Sequence, residues 1–220
     1  MCGRYARFTP AEIYAQLFDA KEGPVLEPRY NVAPVQPVLA ARNAPGGGRE
    51  LVTLHWGLIP AWAKDPKTGY RTINARAETV ASKPAFRQAF RRRRCLIAAD
   101  GFYEWKRTDG RKQPYYIKLK EGEPFAFAGL WERWQGGETA IESCTIIVTE
   151  ANNLVRTIHD RMPVILAPED YHPWMDPEPR DPNDLQALLG PFPAERMVAH
   201  PVGLAVNNPR NDKPELLLPP

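Results

Sequence analysis

Twenty-four prolines and fifteen glycines are spread along the whole of this 220-residue chain. Proline removes a backbone donor and glycine frees φ, so neither suits the interior of a regular element. Their distribution cuts the chain into many short elements joined by turns and argues against a helical bundle. The apolar runs between the breaks are strand-like. CLIAAD, FYEWK, PYYIKLK, FAFAGLW and CTIIVTE follow one another, with turns such as DGRKQ and EGEP between them. AARNAPGGGRELVTLHW reads as a hairpin around a glycine-rich turn, EPRYNVAPVQPV as an extended loop leading into a strand at VLAA, and PVILA and MVAHPV as further strands. The expected fold is α+β: one domain over residues 1–220, with a curved, mainly antiparallel mixed β-sheet, barrel-like, flanked by short helices.

Four stretches read as helical. Thr9-Pro10-Ala11-Glu12 combines an N-cap threonine, proline at the first helical position and glutamate at the third, with Ile13, Leu17 and Phe18 as the buried stripe. From Glu78 to Arg94, Phe86 and Phe90 stand one turn apart among lysine and arginine. ANNLVRTIHD suggests a short helix, and NDLQALLG one closed by glycine. WGLIPAWAKDP is apolar yet broken by glycine and prolines, so it reads as a loop whose tryptophan either covers the core or stacks on a nucleic-acid base.

A 43% hydrophobic content in 220 residues supports one sizeable core. No apolar run approaches a membrane span and the first residues lack a secretory core, so the expected location is cytoplasmic (nucleoid-associated) in a bacterium or nuclear in a eukaryote. Cys95 and Cys144 lie in apolar runs as small core residues, and three cysteines without CxxC spacing give neither disulfides nor a zinc site. His55, His159, His172 and His200 lack HExxH or comparable spacing, and no P-loop, GxGxxG or GxSxG is present. No metal and no cofactor is expected. Charge is unevenly divided: residues 71–94 carry eight Lys or Arg against the single acid Glu78, and residues 150–185 carry eight acids against three arginines. That asymmetry suits a face built for an anion, nucleic acid foremost, although a run such as RRRR also reads as a solvated helix end.

Cys2 directly follows the initiator methionine. Removal of Met1 leaves an amine of pKa about 8 and a thiol of about 8.5 on one residue, both partly deprotonated near neutral pH without special tuning. Elsewhere, Asn74 and Arg76 share one face of an extended TINAR segment, or the asparagine bonds its own turn. In FYEWK, Phe102 and Glu104 face one way, Tyr103 and Trp105 the other. A carboxylate among aromatics is partly desolvated and suited to proton transfer, whereas on an outer face it is ordinary. His159, followed by Asp160 and Arg161, is either part of a polar cluster or a surface histidine at a helix end.

MCGRY, RYNVAP, WGLIPAW, INARAET, RRRRCLIAADGFYEWK, QPYYI and IHDRMPVIL together resemble the SOS response-associated peptidase (SRAP) family of abasic-site shielding proteins, in the family's order and over residues 2 to about 208. The resemblance implies covalent capture of abasic sites in single-stranded DNA by the N-terminal cysteine, through a thiazolidine with the ring-opened sugar aldehyde. It implies Cys2, Asn74, Glu104 and His159 as catalytic residues. Arg4, Arg76 and Arg161 become phosphate contacts, Pro34 and Trp62 a wedge between bases, and Trp105 a further DNA contact. Ala63 departs from the family, many of whose members carry a second tryptophan there. Lys83 and RRRR are left with a general electrostatic role. Also implied are a monomer, replication-associated proteins as candidate partners, a side activity as abasic-site lyase, and peptidase activity limited to Met1. Two rivals remain: an N-terminal-nucleophile cysteine amidohydrolase, which needs no DNA, and a non-covalent single-strand binding module, which makes no bond.

Overall fold

The computed structural model describes residues 2–178 and 181–220. Met1, with its expected removal, lies outside them, as does Arg180 of the acidic stretch. In chain order the elements are β1 (Tyr5–Arg7), α1 (Ala11–Leu17), β2 (Ala20–Lys21), β3 (Arg29–Val32), β4 (Pro37–Asn43), β5 (Arg49–Trp56), β6 (Asn74–Arg76), α2 (Arg87–Arg92), β7 (Arg94–Ala99), β8 (Gly101–Thr108), β9 (Arg111–Leu119), β10 (Phe125–Trp134), β11 (Ile141–Glu150), β12 (Arg161–Pro163), β13 (Ile165–Leu166), α3 (Tyr171–Met175), α4 (Pro182–Ala187) and β14 (Met197–Pro201).

The strands form two sheets. In the larger, β11, β10, β7, β4 and β5 pair in turn, all antiparallel, and a parallel pairing of β5 with β11 closes the ring. This is the expected barrel-like, mainly antiparallel mixed sheet. The smaller sheet runs β14-β9-β8-β1-β3, so the N-terminal strand is paired on both sides. Alternation along each barrel strand divides its side chains between two cores. On β7, Leu96 and Ala98 join α1, α2, α3 and α4, whereas Cys95, Ile97 and Ala99 join Tyr5, Phe102 and Ile117 of the smaller sheet. Trp56 is fully buried in that second core, worth about 4–6 kcal/mol of transfer free energy as an upper bound. Gly129 on β10 is required by close packing, because a Cβ there would lie 2.7 Å from the Ile97 side chain and 2.8 Å from the Cys95 sulfur.

Three local expectations change. Pro10, not Thr9, occupies the N-cap of α1; the Thr9 hydroxyl and amide and the Tyr14 hydroxyl all bond to buried Asp100. The buried face of α1 is accordingly Ala11, Tyr14 and Ala15 with Phe18, while Ile13 is 44% exposed. Only Arg87–Arg92 of the 78–94 stretch is α-helical; the residues before it form turns, although Phe86 and Phe90 are buried as their spacing implied. The RRRR run also splits. Arg91 and Arg92 are exposed, Arg93 pairs with Glu132 at 2.6 Å, and Arg94 is buried, donating to the carbonyls of Phe90, Arg91, Trp174 and Asp176. Those last two arginines are engaged within the fold, which leaves Arg91 and Arg92 of the run, with Lys83, exposed. The segment read as a loop from Glu27 includes β3 at Arg29–Val32. No helix among the described residues is long and apolar enough to cross a membrane.

Candidate active site and nucleic-acid interface

Cys2 is fully buried in the core shared by the two sheets. It is no frayed terminus: β1 lies three residues on, and the Tyr103 amide donates to the Arg4 carbonyl at 2.9 Å, extending the β1–β8 pairing towards it. The environment overturns the expectation of an untuned thiol. Burial pushes the Cys2 thiol far above its ordinary range, and the negative charge of Glu104 pushes in the same direction; a hydrogen bond from the Arg4 backbone works the other way.

Glu104 on β8 is 3% exposed. Its strand alternates as expected, Phe102 joining the core that contains Cys2 and Tyr103 the opposite one, which also packs against Trp105. Burial raises the Glu104 pKa above the usual carboxylate value, and the positive form of nearby His159 acts against that rise. The loop before β12 holds His159: its amide donates to Val155 O at 2.8 Å, and its Nδ1 lies 3.0 Å from the Arg161 amide and 2.9 Å from an Asp160 carboxylate oxygen. Glu104 and His159, together with Trp105, Arg107, Lys112 and Asn207, line a cleft of about 420 Å³ at the seam between the sheets.

Asn74 heads β6, whose partner across the parallel pairing is Ile146, a member of the Cys2 core. Both amide heteroatoms of Asn74 are buried, and neither has a hydrogen-bond partner among the described residues. That removes the alternative of an asparagine satisfied by its own turn, and an unsatisfied buried amide costs about 1–3 kcal/mol. Arg76, two residues on, is exposed, and Arg161 pairs with Glu78.

Pro34 and Trp62 sit on two segments joined at Trp56. The Val35 amide donates to Trp56 O at 2.8 Å, holding Val35 at φ 64, a costly conformation for a β-branched residue. The loop after Trp56 is pinned. Gly57 adopts φ 140 and a Cβ there would lie 2.7 Å from Gly69 O; the Ile59 amide donates to Ser143, and the Trp134 indole donates to Ala63 O at 2.7 Å. Ala63 is buried against Trp134, and Leu58 and Ile59 are buried in the core, whereas Trp62 is 65% exposed: the loop covers the core and its second tryptophan does not.

Arg4 is positioned by residues the sequence reading missed. One guanidinium nitrogen donates to Asn31 Oδ1 at 2.9 Å and Val206 O at 2.8 Å, with the group 5.9 Å from the Trp105 ring centroid. Fully buried Asn31 in turn donates to the carbonyls of Val206, Asn208 and Asn211, and the Trp105 indole donates to Asn207 Oδ1 at 2.7 Å. The C-terminal segment thereby fastens Arg4 and the cleft residue Trp105. The sequence carried no signal for this role, because RYNV lies in a stretch read as an extended loop, where asparagine is ordinary. Asn31→Ala is expected to lower the unfolding free energy by about 2–3 kcal/mol, read from urea denaturation, because it strands several buried groups at once.

Among the described residues no group of three or more His, Cys, Asp or Glu side chains converges as a metal site. The family model for the SOS response associated peptidase (SRAP) matches residues 1–209. The chain belongs to the SRAP family. It is 48% identical to the protein of Bacillus subtilis named abasic site processing protein YoqW over 99% of both chains, and 47% identical to YoaM of the same organism, likewise named an abasic site processing protein, over 99% of this chain and 97% of that one. A solved structure from Bacteroides thetaiotaomicron superposes over the full length of both chains with a TM-score of 0.89 at 26% identity. Within this SRAP chain the cleft, not the similarly large hollow beside the β4–β5 turn, is where Glu104 and His159 converge.

Proposed function

We propose that this protein processes abasic sites in single-stranded DNA by covalent capture through Cys2. The observation that carries the reading is a core-buried cysteine at the head of the chain whose thiol feels Glu104, the residue that with His159 lines the cleft. The names of the relatives supply the substrate class.

Met1 removal, by the chain itself in this reading, frees the Cys2 amine. An abasic deoxyribose equilibrates with an open form bearing an aldehyde at C1′. His159 donates to the sugar oxygen as the ring opens, and Asn74, with its idle amide, holds the attacking amine. The amine adds to C1′, giving a carbinolamine that loses water to form an imine. The sulfur then adds to the same carbon. Its proton passes by way of Glu104 to the imine nitrogen, which becomes the ring amine of a thiazolidine, so capture releases one water in total. Because both nucleophiles belong to one residue, the second attack is intramolecular and gains a large effective concentration. A buried thiol does not ionise unaided, which gives Glu104 its work: a carboxylate of raised pKa is a stronger base than an ordinary one. Arg4, Arg76 and Arg161 hold phosphates and Trp62 with Pro34 parts the bases; Arg161 exchanges Glu78 for phosphate on binding. The imine also opens a route to β-elimination, a minor lyase activity. We place the protein with its DNA, in the cytoplasm or nucleus, acting as a monomer over the domain 1–220.

The test is a denaturing gel of the protein with an oligonucleotide bearing one abasic site. A shifted band that survives SDS is expected. Binding without that band supports the non-covalent module, and glutamine hydrolysis without DNA supports the amidohydrolase; either overturns the proposal.

A further inference from the structure

The β8–β9 hairpin carries two cations for which the fold gives no use. Arg107 and Lys112 stand directly opposite each other in the antiparallel register, where like charges repel. The two-residue turn between the strands fixes that register, with Asp109 at φ 48 and Gly110 at φ 76, the signature of a tight hairpin. Both side chains are exposed, and among the described residues neither forms an ion pair or a side-chain hydrogen bond. The nearby acid, Asp109, occupies the turn itself. Yet both cations line the cleft that holds Glu104 and His159.

We propose that Arg107 and Lys112 form a phosphate clamp for one phosphodiester of the lesion-bearing strand, close to the captured sugar. This rests on the covalent reading for the identity of the strand. An anion between the two side chains turns their mutual repulsion into two attractions. The Arg107 fork can take two non-bridging oxygens while Lys112 contributes a point charge. Arg107 lies three steps along β8 from Glu104, about 10 Å, and although alternation starts its side chain from the Trp105 face, both side chains line the one cleft, within reach of the phosphates flanking a sugar whose C1′ sits at Glu104. Arg76 and Arg161 belong to strands paired with β11 in the larger sheet, whereas the hairpin belongs to the smaller one. The strand is therefore gripped from both walls of the seam.

The experiment measures binding of a single-stranded oligonucleotide containing a tetrahydrofuran abasic analogue, which has no aldehyde and forms no bond to Cys2, over a series of salt concentrations. Arg107→Ala/Lys112→Ala is expected to flatten the slope of log K against log salt by about 0.7, the share of one phosphate on a single strand, and to weaken binding roughly tenfold at low salt. Arg107→Lys, which keeps the charge, is expected to hold the slope and lose part of the affinity. Lys21→Ala/Lys120→Ala removes the same net charge outside the cleft and controls for the general field. An unchanged slope in the double variant overturns the clamp, and so does an equal loss in the control. Thiazolidine formation by wild-type protein with free deoxyribose, which has no phosphate, is followed separately by mass. Its failure counts against the covalent reading and leaves the salt data to decide the clamp.

Discussion

Cys2→Ala is expected to abolish the SDS-stable crosslink, a loss of more than about a hundredfold, while leaving a species that borohydride can trap. Alanine keeps the α-amine once Met1 is gone, so the imine still forms. Without sulfur there is no second attack, and the imine hydrolyses on denaturation. The thiol's advantage is its attachment to the attacking amine, where effective concentrations reach far beyond any free thiol in solution. Cys2→Ser should behave like the alanine variant, because a hydroxyl is much the weaker nucleophile. The fold is expected to tolerate either change at a cost of about 1 kcal/mol, since one sulfur atom is removed from a large core. A denaturing gel with and without borohydride reads all four cases. A stable band of wild-type intensity from Cys2→Ala would move the attachment point to another residue and end the thiazolidine scheme.

The thiol is also where sequence reasoning fell short. Position 2 says that an aminothiol can be unmasked, but not that the sulfur is buried beside a carboxylate. Burial is a property of the two sheets meeting, and the residues that enclose Cys2 come from β1, β8 and the barrel. Local pattern served well where the relevant interaction was local. Apolar runs bounded by turns, CLIAAD and CTIIVTE, located β7 and β11, and alternation in FYEWK assigned Phe102 and Glu104 of β8 to one face, because a strand's period is set by its own backbone. It failed at Thr9, whose hydroxyl had a distant competitor in Asp100, and over residues 78–86, where helical spacing of aromatics survived without helical hydrogen bonding. Arg94, Asn31 and Asn207 were invisible for the same reason. Their partners lie far along the chain, and nothing in a window of neighbours distinguishes a guanidinium bound for buried carbonyls from one bound for solvent. The site residues named by resemblance do converge in part: Glu104 and His159 share the cleft, and Cys2 shares its core with the strand opposite Asn74.

Glu104→Gln is expected to separate catalysis from stability. The carboxylate is nearly inaccessible, and burial raises its pKa above the ordinary glutamate value. In the folded state it therefore takes up a proton at higher pH than in the unfolded chain. The stabilising effect of that proton is complete below the unfolded pKa, about 4.3, and is lost as pH rises through the folded value. At neutral pH the buried charge weakens the fold. Glutamine keeps the shape without the charge, so the variant should melt at a higher temperature than wild type near pH 7, with the gap closing as both are acidified. Crosslinking should move the other way. Without a base to take the thiol proton the rate is expected to fall about 10²- to 10⁴-fold. The wild-type rate should decline on acidification at a pH above that of a free carboxylate, and the variant should lack that decline. A merely structural Glu104 predicts the opposite coupling, with lower melting temperature and lower rate together. Thermal melts and crosslinking rates on the same samples between about pH 4 and 8 decide between the two, because only a base held in place at the expense of stability gives opposite signs.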